Sequence, residues 1–290
     1  IDSIFYRLLS RNTSIDENTQ DHLSPHVIRL AMIDRDSQTD AYKKLLASID
    51  LLGFWIQHLC LLVVAEYVSI EGKTAASLPG NGWKSFKRPT LGNYLYILKN
   101  VVSDKSSLKQ ASQNSWFPEL YKLLNERNSR LEQDFQEVLK LRNEWKHFSS
   151  TNYSESVVRE TLEVVDELEK RLREKLSFLA SYKYIQPKVL RTLDNGTYYW
   201  ECLVFKDGAT HIEDVTTSSD FNPNSLYLLN SYSKNKPEIA LPLTPWIVAG
   251  ECSFHHRYEL FYYVGLEYDR ETKSYTDKAR YSGLTEGCTP

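Results

Sequence analysis

Arg142 and His147 lie in the stretch Leu139-Lys-Leu-Arg-Asn-Glu-Trp-Lys-His147, and their types come closest in this chain to a catalytic kit. An arginine is permanently charged and offers a fork of donors to phosphate oxygens, whereas a histidine takes and gives a proton near neutral pH. Together they suit metal-free RNA cleavage. A base removes the ribose 2′-hydroxyl proton, the freed oxygen attacks the adjacent phosphate, and a cation stabilises the charge growing on the phosphoryl oxygens. Spacing sets a condition on that chemistry: five residues at about 100° each leave the two side chains about 140° apart on a straight helix. Convergence requires the helix to end near Trp145, which the following Phe148-Ser-Ser-Thr-Asn-Tyr153 permits, or a second protomer to complete the site. Asn143 shares a face with His147 at i,i+4, so it can orient the imidazole or bind phosphate itself.

A second cluster is electrostatic. Between Gly72 and Ser103 stand Lys73, Lys84, Lys87, Arg88 and Lys99 with no Asp or Glu, and Trp83 and Phe86 interleave with the cations in Gly82-Trp-Lys-Ser-Phe-Lys-Arg-Pro89. Lys84, Lys87 and Arg88 can hold phosphates while Trp83 stacks on an unpaired base, which makes them candidate RNA-binding residues. The competing reading tucks Trp83 and Phe86 onto the core and leaves the cations solvated. A third cluster, Cys252-Ser-Phe-His255-His256, offers two zinc ligands. The other two would have to come from Cys202, Cys288 or His211, none of which has a partner at close spacing. No metal and no cofactor are therefore expected. GxGxxG, P-loop, HExxH and GxSxG patterns do not occur, which removes the usual sequence support for Rossmann oxidoreductases, NTPases, zinc proteases and α/β-hydrolases.

These residues must be carried by elements that the pattern makes legible. The chain has 290 residues, more than one small core usually takes, so two domains are expected. Its net charge of −3 argues against wholesale polyanion binding and leaves room for a local basic patch. From Asp40 to Ser69 apolar residues recur at helical spacing, including Leu45, Ile49, Leu52, Ile56, Leu59 and Val63. Phe54, Trp55, Leu61 and Leu62 widen that stripe to the girth of a central bundle helix. Gln57, His58 and Glu66 interrupt Leu51 to Val68, so it reads as a core helix and not as a membrane span. Further helices are expected at Leu91 to Val102 behind a Thr90 cap, Pro118 to Asn125, Ser129 to His147, and Ser154 to Ala180. The last of these carries a Val165, Leu168, Leu172, Leu176 stripe and two i,i+4 pairs, Glu167 with Arg171 and Glu169 with Arg173.

At Tyr184-Ile-Gln-Pro187 the helical period gives way to Tyr-, Val- and Phe-rich runs punctuated by Asn-Gly and Asp-Gly. Strands are expected at Thr197 to Phe205, Ser225 to Asn230, Leu243 to Val248, Glu259 to Tyr268 and Ser274 to Tyr281. The fold class is thus α+β: a helical bundle over 1–183, then a small antiparallel β-rich domain over 184–290. Tyr198, Tyr199, Trp200 and Trp246 are candidates to line a binding surface there. Four cysteines without CxxC spacing suit a reducing, cytoplasmic setting. The chain starts at Ile1 and has its one methionine at Met32, which leaves room for a domain upstream.

A helical bundle whose late helix carries Arg142-Asn143-Glu-Trp-Lys-His147 resembles the HEPN superfamily of prokaryotic toxins, defence effectors and RNA-processing nucleases, over roughly residues 40–181. The resemblance implies a four- or five-helix bundle, a homodimer that brings two copies of the motif together, and metal-independent RNA cleavage by the Arg and His. The C-terminal part loosely resembles β-rich modules of bacterial signalling and defence proteins, without the CxxC those modules carry at the place of Cys252. On this reading the protein is a ribonuclease effector whose β domain senses a small-molecule ligand or a protein partner. A different class of function remains beside it: a non-catalytic scaffold that dimerises through the bundle and binds its partner through the β domain.

Overall fold

A computed structural model of the chain describes residues 26–70, 73–104, 115–146, 153–194, 197–206, 209–218, 220–230, 240–253, 256 and 258–283. Helices and antiparallel sheets are both present, so the chain is α+β. It divides into two compact units. One comprises Leu30–Leu176 and Tyr263–Tyr281; the other comprises Ile1–Arg29, Ser177–Tyr262 and Ser282–Pro290.

The first unit is built on α2 (Ala41–Ser69), which follows α1 (His26–Asp36). Asp40 starts α2 by accepting a hydrogen bond from the Lys43 N–H at 2.8 Å, which satisfies one of the orphan donors of the first turn. Leu45, Ile49, Leu52, Trp55, Ile56, Leu59 and Val63 are all fully buried, and so are Leu61 and Leu62 on the other side. Burial of each such side chain contributes about 2 kcal/mol to holding the unit together. By length and apolar content alone α2 could also cross a bilayer. In this fold its apolar surface is covered by α4 (Leu91–Ser103), α6 (Leu131–Lys146) and α7 (Glu155–Lys175). Two shorter helices, α3 (Gly82–Phe86) and α5 (Pro118–Asn125), complete the α-helices described in this unit. A reciprocal capping box opens α4: the Thr90 hydroxyl accepts from the Asn93 N–H at 3.3 Å, and the Asn93 side chain accepts from the Thr90 N–H at 2.9 Å.

The stripe on α7 is buried at Val165, Leu168, Leu172 and Leu176, so it packs inside the unit as a bundle helix does. One of its expected ion pairs forms, between Arg173 and Glu169 at 2.9 Å. Arg171 instead reaches across to α6, bonding Asp134 at 3.1 Å and Glu137 at 3.0 Å. Asp134 is 6% exposed as a side chain, and a buried carboxylate needs a cation more than a solvated Glu167 does. Glu169 is similarly buried, between Arg173 and Arg35.

The second unit contains a five-stranded antiparallel sheet in the order β3-β2-β1-β4-β5. Its strands are β1 (Tyr182–Asp194), β2 (Thr197–Lys206), β3 (Ala209–Thr217), β4 (Tyr227–Asn230) and β5 (Ala240–Pro242). Both hairpins around β2 close tightly, with Asp194 opposite Thr197 and Lys206 opposite Ala209. β1 therefore runs straight through the Tyr184-Ile-Gln-Pro187 stretch. Its pairing with β4 covers only Tyr182 to Ile185, and its ladder with β2 is irregular between Pro187 and Val189. Proline lacks an N–H for the ladder and is tolerated at such a bulge. One face of this sheet buries Ile185, Trp200, Cys202, Val204, Val215 and Leu229 with Phe221.

A three-stranded sheet follows, in the order β6-β7-β8, from β6 (Ile247–Glu251), β7 (Tyr258–Asp269) and β8 (Ser274–Ser282). The expected strand from Leu243 to Val248 is two features: a turn through the cis Thr244–Pro245 bond, then the start of β6. β7 pairs with β6 from Tyr258 to Tyr262, and from Tyr263 onward it belongs with the helical unit.

Candidate functional site

The face that α6 turns to the core carries Leu131, Phe135, Val138, Leu141 and Trp145, all buried. Trp145 ends the stripe between two aromatic neighbours. Its ring stacks on Tyr153 at 4.2 Å between centroids and meets Tyr42 of α2 at 6.3 Å. Such contacts are worth about 0.5–1.5 kcal/mol each beyond burial, and they fix the last turn of α6 where the candidate residues sit. Asn143 is exposed and Arg142 half-exposed, on the turn just before Trp145. His147 lies outside the described residues.

The guanidinium of Arg142 has no ion pair or side-chain hydrogen bond among the described residues. Four arginines of this unit are committed: Arg35 to Glu169 and Asp36, Arg171 to Asp134 and Glu137, Arg173 to Glu169, and Arg159 to Glu155. Even Lys140 and Glu144, which flank Arg142, approach each other to 3.9 Å. An uncommitted, half-exposed guanidinium is what an anion-binding arginine needs, because no carboxylate must first be displaced.

The basic loop is more ordered than its composition suggests. Trp83 and Lys84 lie on α3, with Trp83 half-buried and Lys84 exposed; Lys87 is half-exposed and Arg88 exposed just beyond it. No ion pair engages the side chains of Lys84, Lys87 or Arg88 among the described residues. Phe86, by contrast, is fully buried, stacked on Tyr263 at 5.4 Å and edge-on to Tyr94 at 6.0 Å. Phe86 thus anchors the stretch while the cations face water, as the competing reading has it, and Trp83 is half-buried between them. Lys99 and Lys73 stand apart, the former paired with Glu132 and the latter 5.0 Å above the Tyr67 ring.

In the β-rich unit the candidate aromatic surface does not form as expected. Trp200 and Trp246 are buried at 4% exposure each, and Tyr199 is the outward-facing member at 40%. Strand alternation accounts for this, since Trp200 points into the core against Phe221 while its neighbour Tyr199 points out. Cys252 is buried and His256 is exposed; His255, like His22, lies outside the described residues, and His26 opens α1. Among the described residues no group of three His, Cys, Asp or Glu side chains could hold a metal ion.

Two of the polar residues that interrupt the apolar run of α2 emerge as buried titratable groups. His58, on α2, is fully buried, and desolvation lowers its pKa to about 3. Glu66, near the end of α2, accepts hydrogen bonds from the Ser115 hydroxyl, the Trp116 N–H and the Tyr121 hydroxyl at 2.7, 2.7 and 3.1 Å. Its burial raises its pKa despite those three donors.

Compared with protein-family models, curated proteins and solved structures, the chain matches none.

Proposed function

We propose that the helical unit is a HEPN-type bundle and that the protein is a metal-independent endoribonuclease effector of a prokaryotic defence or stress system. The observation that carries this reading is the Arg142 guanidinium, held out of the ion-pair network that takes up Arg35, Arg171 and Arg173. In the proposed reaction Arg142 clamps the scissile phosphate and neutralises charge on its non-bridging oxygens. His147 acts as acid or base, and Asn143 orients one of the pair. The 2′-oxygen bonds to phosphorus, the bond to the 5′-oxygen breaks, and that oxygen leaves with a proton. Products therefore carry a 2′,3′-cyclic phosphate and a 5′-hydroxyl. Two protomers joined at the end of α6 supply the convergence that one straight helix denies.

End-group analysis of the products tests the chemistry. RNA cut in EDTA should yield cyclic-phosphate and 5′-hydroxyl ends; 3′-hydroxyl and 5′-phosphate ends would point to an attacking water and remove the proposed roles.

A second reading is a bundle that dimerises without chemistry and a β-rich unit that binds a protein or small molecule. Exposed apolar side chains favour it, Val157 and Val164 on α7 and Val189, Leu190 and Tyr199 on the β1–β2 hairpin.

A further inference from the structure

β6 pairs with β7 only as far as Ile247 opposite Tyr262. Beyond that point the β7 main chain is engaged by helical residues of its own compact unit. The Tyr263 carbonyl accepts from the Tyr94 hydroxyl at 2.8 Å and from Gln57 Nε2 at 3.4 Å. The Leu266 N–H donates to the Lys87 carbonyl at 2.9 Å. The Tyr263 hydroxyl donates to the Phe86 carbonyl at 3.2 Å, and the two rings stack with 13° between their planes. Two consecutive carbonyls of the basic loop are thus held by one strand.

Gly265 makes the close approach possible. Its φ is +124°, a conformation that side-chain-bearing residues rarely adopt, and an added Cβ would stand 2.8 Å from the Lys87 carbonyl oxygen and 3.2 Å from Pro89 Cδ. A Cβ there collides with backbone, which does not yield as the end of a flexible side chain would. The segment Tyr263–Tyr281 carries four acidic and four basic side chains, so it adds no net charge to the loop. Its contribution is mechanical.

We propose that β7 clamps the Trp83–Arg88 segment, the end of α3 and the turn after it, in the form that grips single-stranded RNA, with Gly265 and Tyr263 as positioning residues. Lys84 and Arg88 hold phosphates from a backbone that is already fixed, and the Trp83 ring stacks on an unpaired base. Fixing the loop in advance removes an ordering cost that a mobile loop would meet on binding. The inference rests on the RNA-binding reading of the loop and adds what holds it in shape.

The test uses the full chain and a fluorescent 2′-O-methyl oligouridine, which lacks the nucleophilic hydroxyl and survives any cleavage activity. Affinity is measured against potassium chloride concentration for the wild type, Lys84→Ala/Arg88→Ala, Gly265→Ala and Tyr263→Phe, with amide hydrogen exchange followed in parallel. The loop double variant should lower the slope of log affinity against log salt by about 1–1.5, the loss of about two phosphate contacts. Gly265→Ala should weaken binding about ten-fold and speed exchange across residues 83–90 while leaving Ala41–Ser69 protected; Tyr263→Phe, which keeps the stacked ring and the fold, should weaken it about three-fold. Wild-type affinity in both β7 variants, with binding lost in the loop variant, overturns the clamp and leaves the RNA-binding loop standing. A wild type that fails to bind the probe at low salt overturns both.

Discussion

The Asp134 carboxylate on α6 accepts a hydrogen bond from Arg171 Nε on α7 at 3.1 Å, and Lys175 Nζ meets its second oxygen at 2.5 Å. Asp134 is nearly buried, whereas Arg171 is about two-fifths exposed, so the carboxylate has more to lose than its partner. The pair joins the helix that carries Arg142 to the helix that follows it. Through Asp134 and Trp145 the last three turns of α6 are held at both ends.

Asp134→Ala is therefore expected to lower stability by about 2–4 kcal/mol, somewhat less than the about 3–5 kcal/mol for a fully buried pair, because water reaches the Arg171 left behind. Arg159→Ala, which breaks a pair exposed on both sides, should cost at most about 0.5 kcal/mol. Urea unfolding of the two variants against the wild type checks this. Equal losses would mean that Asp134 is better solvated than its burial indicates.

His58 predicts the acid limb of the stability curve. Its folded pKa, about 3, lies below the ordinary 6.5, so the unfolded chain binds its proton first as pH falls. The stability it contributes is present above about pH 6.5 and is lost progressively as pH falls toward 3, with a limiting slope of about 1.4 kcal/mol per pH unit. The wild type should lose stability relative to His58→Leu on going from pH 7 to pH 4.5. Parallel curves for the two proteins across that interval would refute the assignment.

Glu66 works in the opposite direction. Burial raises its folded pKa above the ordinary carboxylate value of 4.5, so its contribution is fully present below that value and is lost as pH rises through the folded pKa. Three neutral donors face it, from Ser115, Trp116 and Tyr121. Measured by urea unfolding, the stability of the wild type minus that of Glu66→Gln should fall between pH 4 and pH 8. A difference that grows with pH would show that the three donors outweigh desolvation.

Local signals in the sequence proved readable where local physics decides the structure. Asp40 and Thr90 announce α2 and α4 as caps, and Pro118 opens α5 at the position where its missing N–H costs nothing. The Asn195-Gly196 and Asp207-Gly208 pairs lie outside the described residues, but the pairings beside them, Asp194 with Thr197 and Lys206 with Ala209, are those of two hairpins. β1 was hidden because Pro187 reads as punctuation until its bulge is seen. β3 is hidden because Ala-Thr-His-Ile-Glu-Asp-Val-Thr-Thr is an edge strand with little apolar alternation. Spacing pairs Arg171 with Glu167, whereas Asp134 wins through burial, a property of the folded unit. The hold of Tyr263 and Gly265 on Phe86 and Lys87 spans most of the chain and leaves no periodic trace. For the candidate site, Arg142 and Asn143 could be proposed from type and spacing alone; the role of Trp145 in fixing them could not, because its neighbours Tyr42 and Tyr153 meet it only in the fold.

The most direct measurement of the central claim is the rate of RNA cleavage in EDTA by the wild type, Arg142→Ala, His147→Ala and an equimolar mixture of the two variants. The account predicts cleavage by the wild type, losses of about 10²–10⁴-fold in each variant alone, and partial recovery in the mixture if Arg142 and His147 of different protomers form one site. Cleavage that persists at the wild-type rate in Arg142→Ala, or that stops in EDTA, would contradict it.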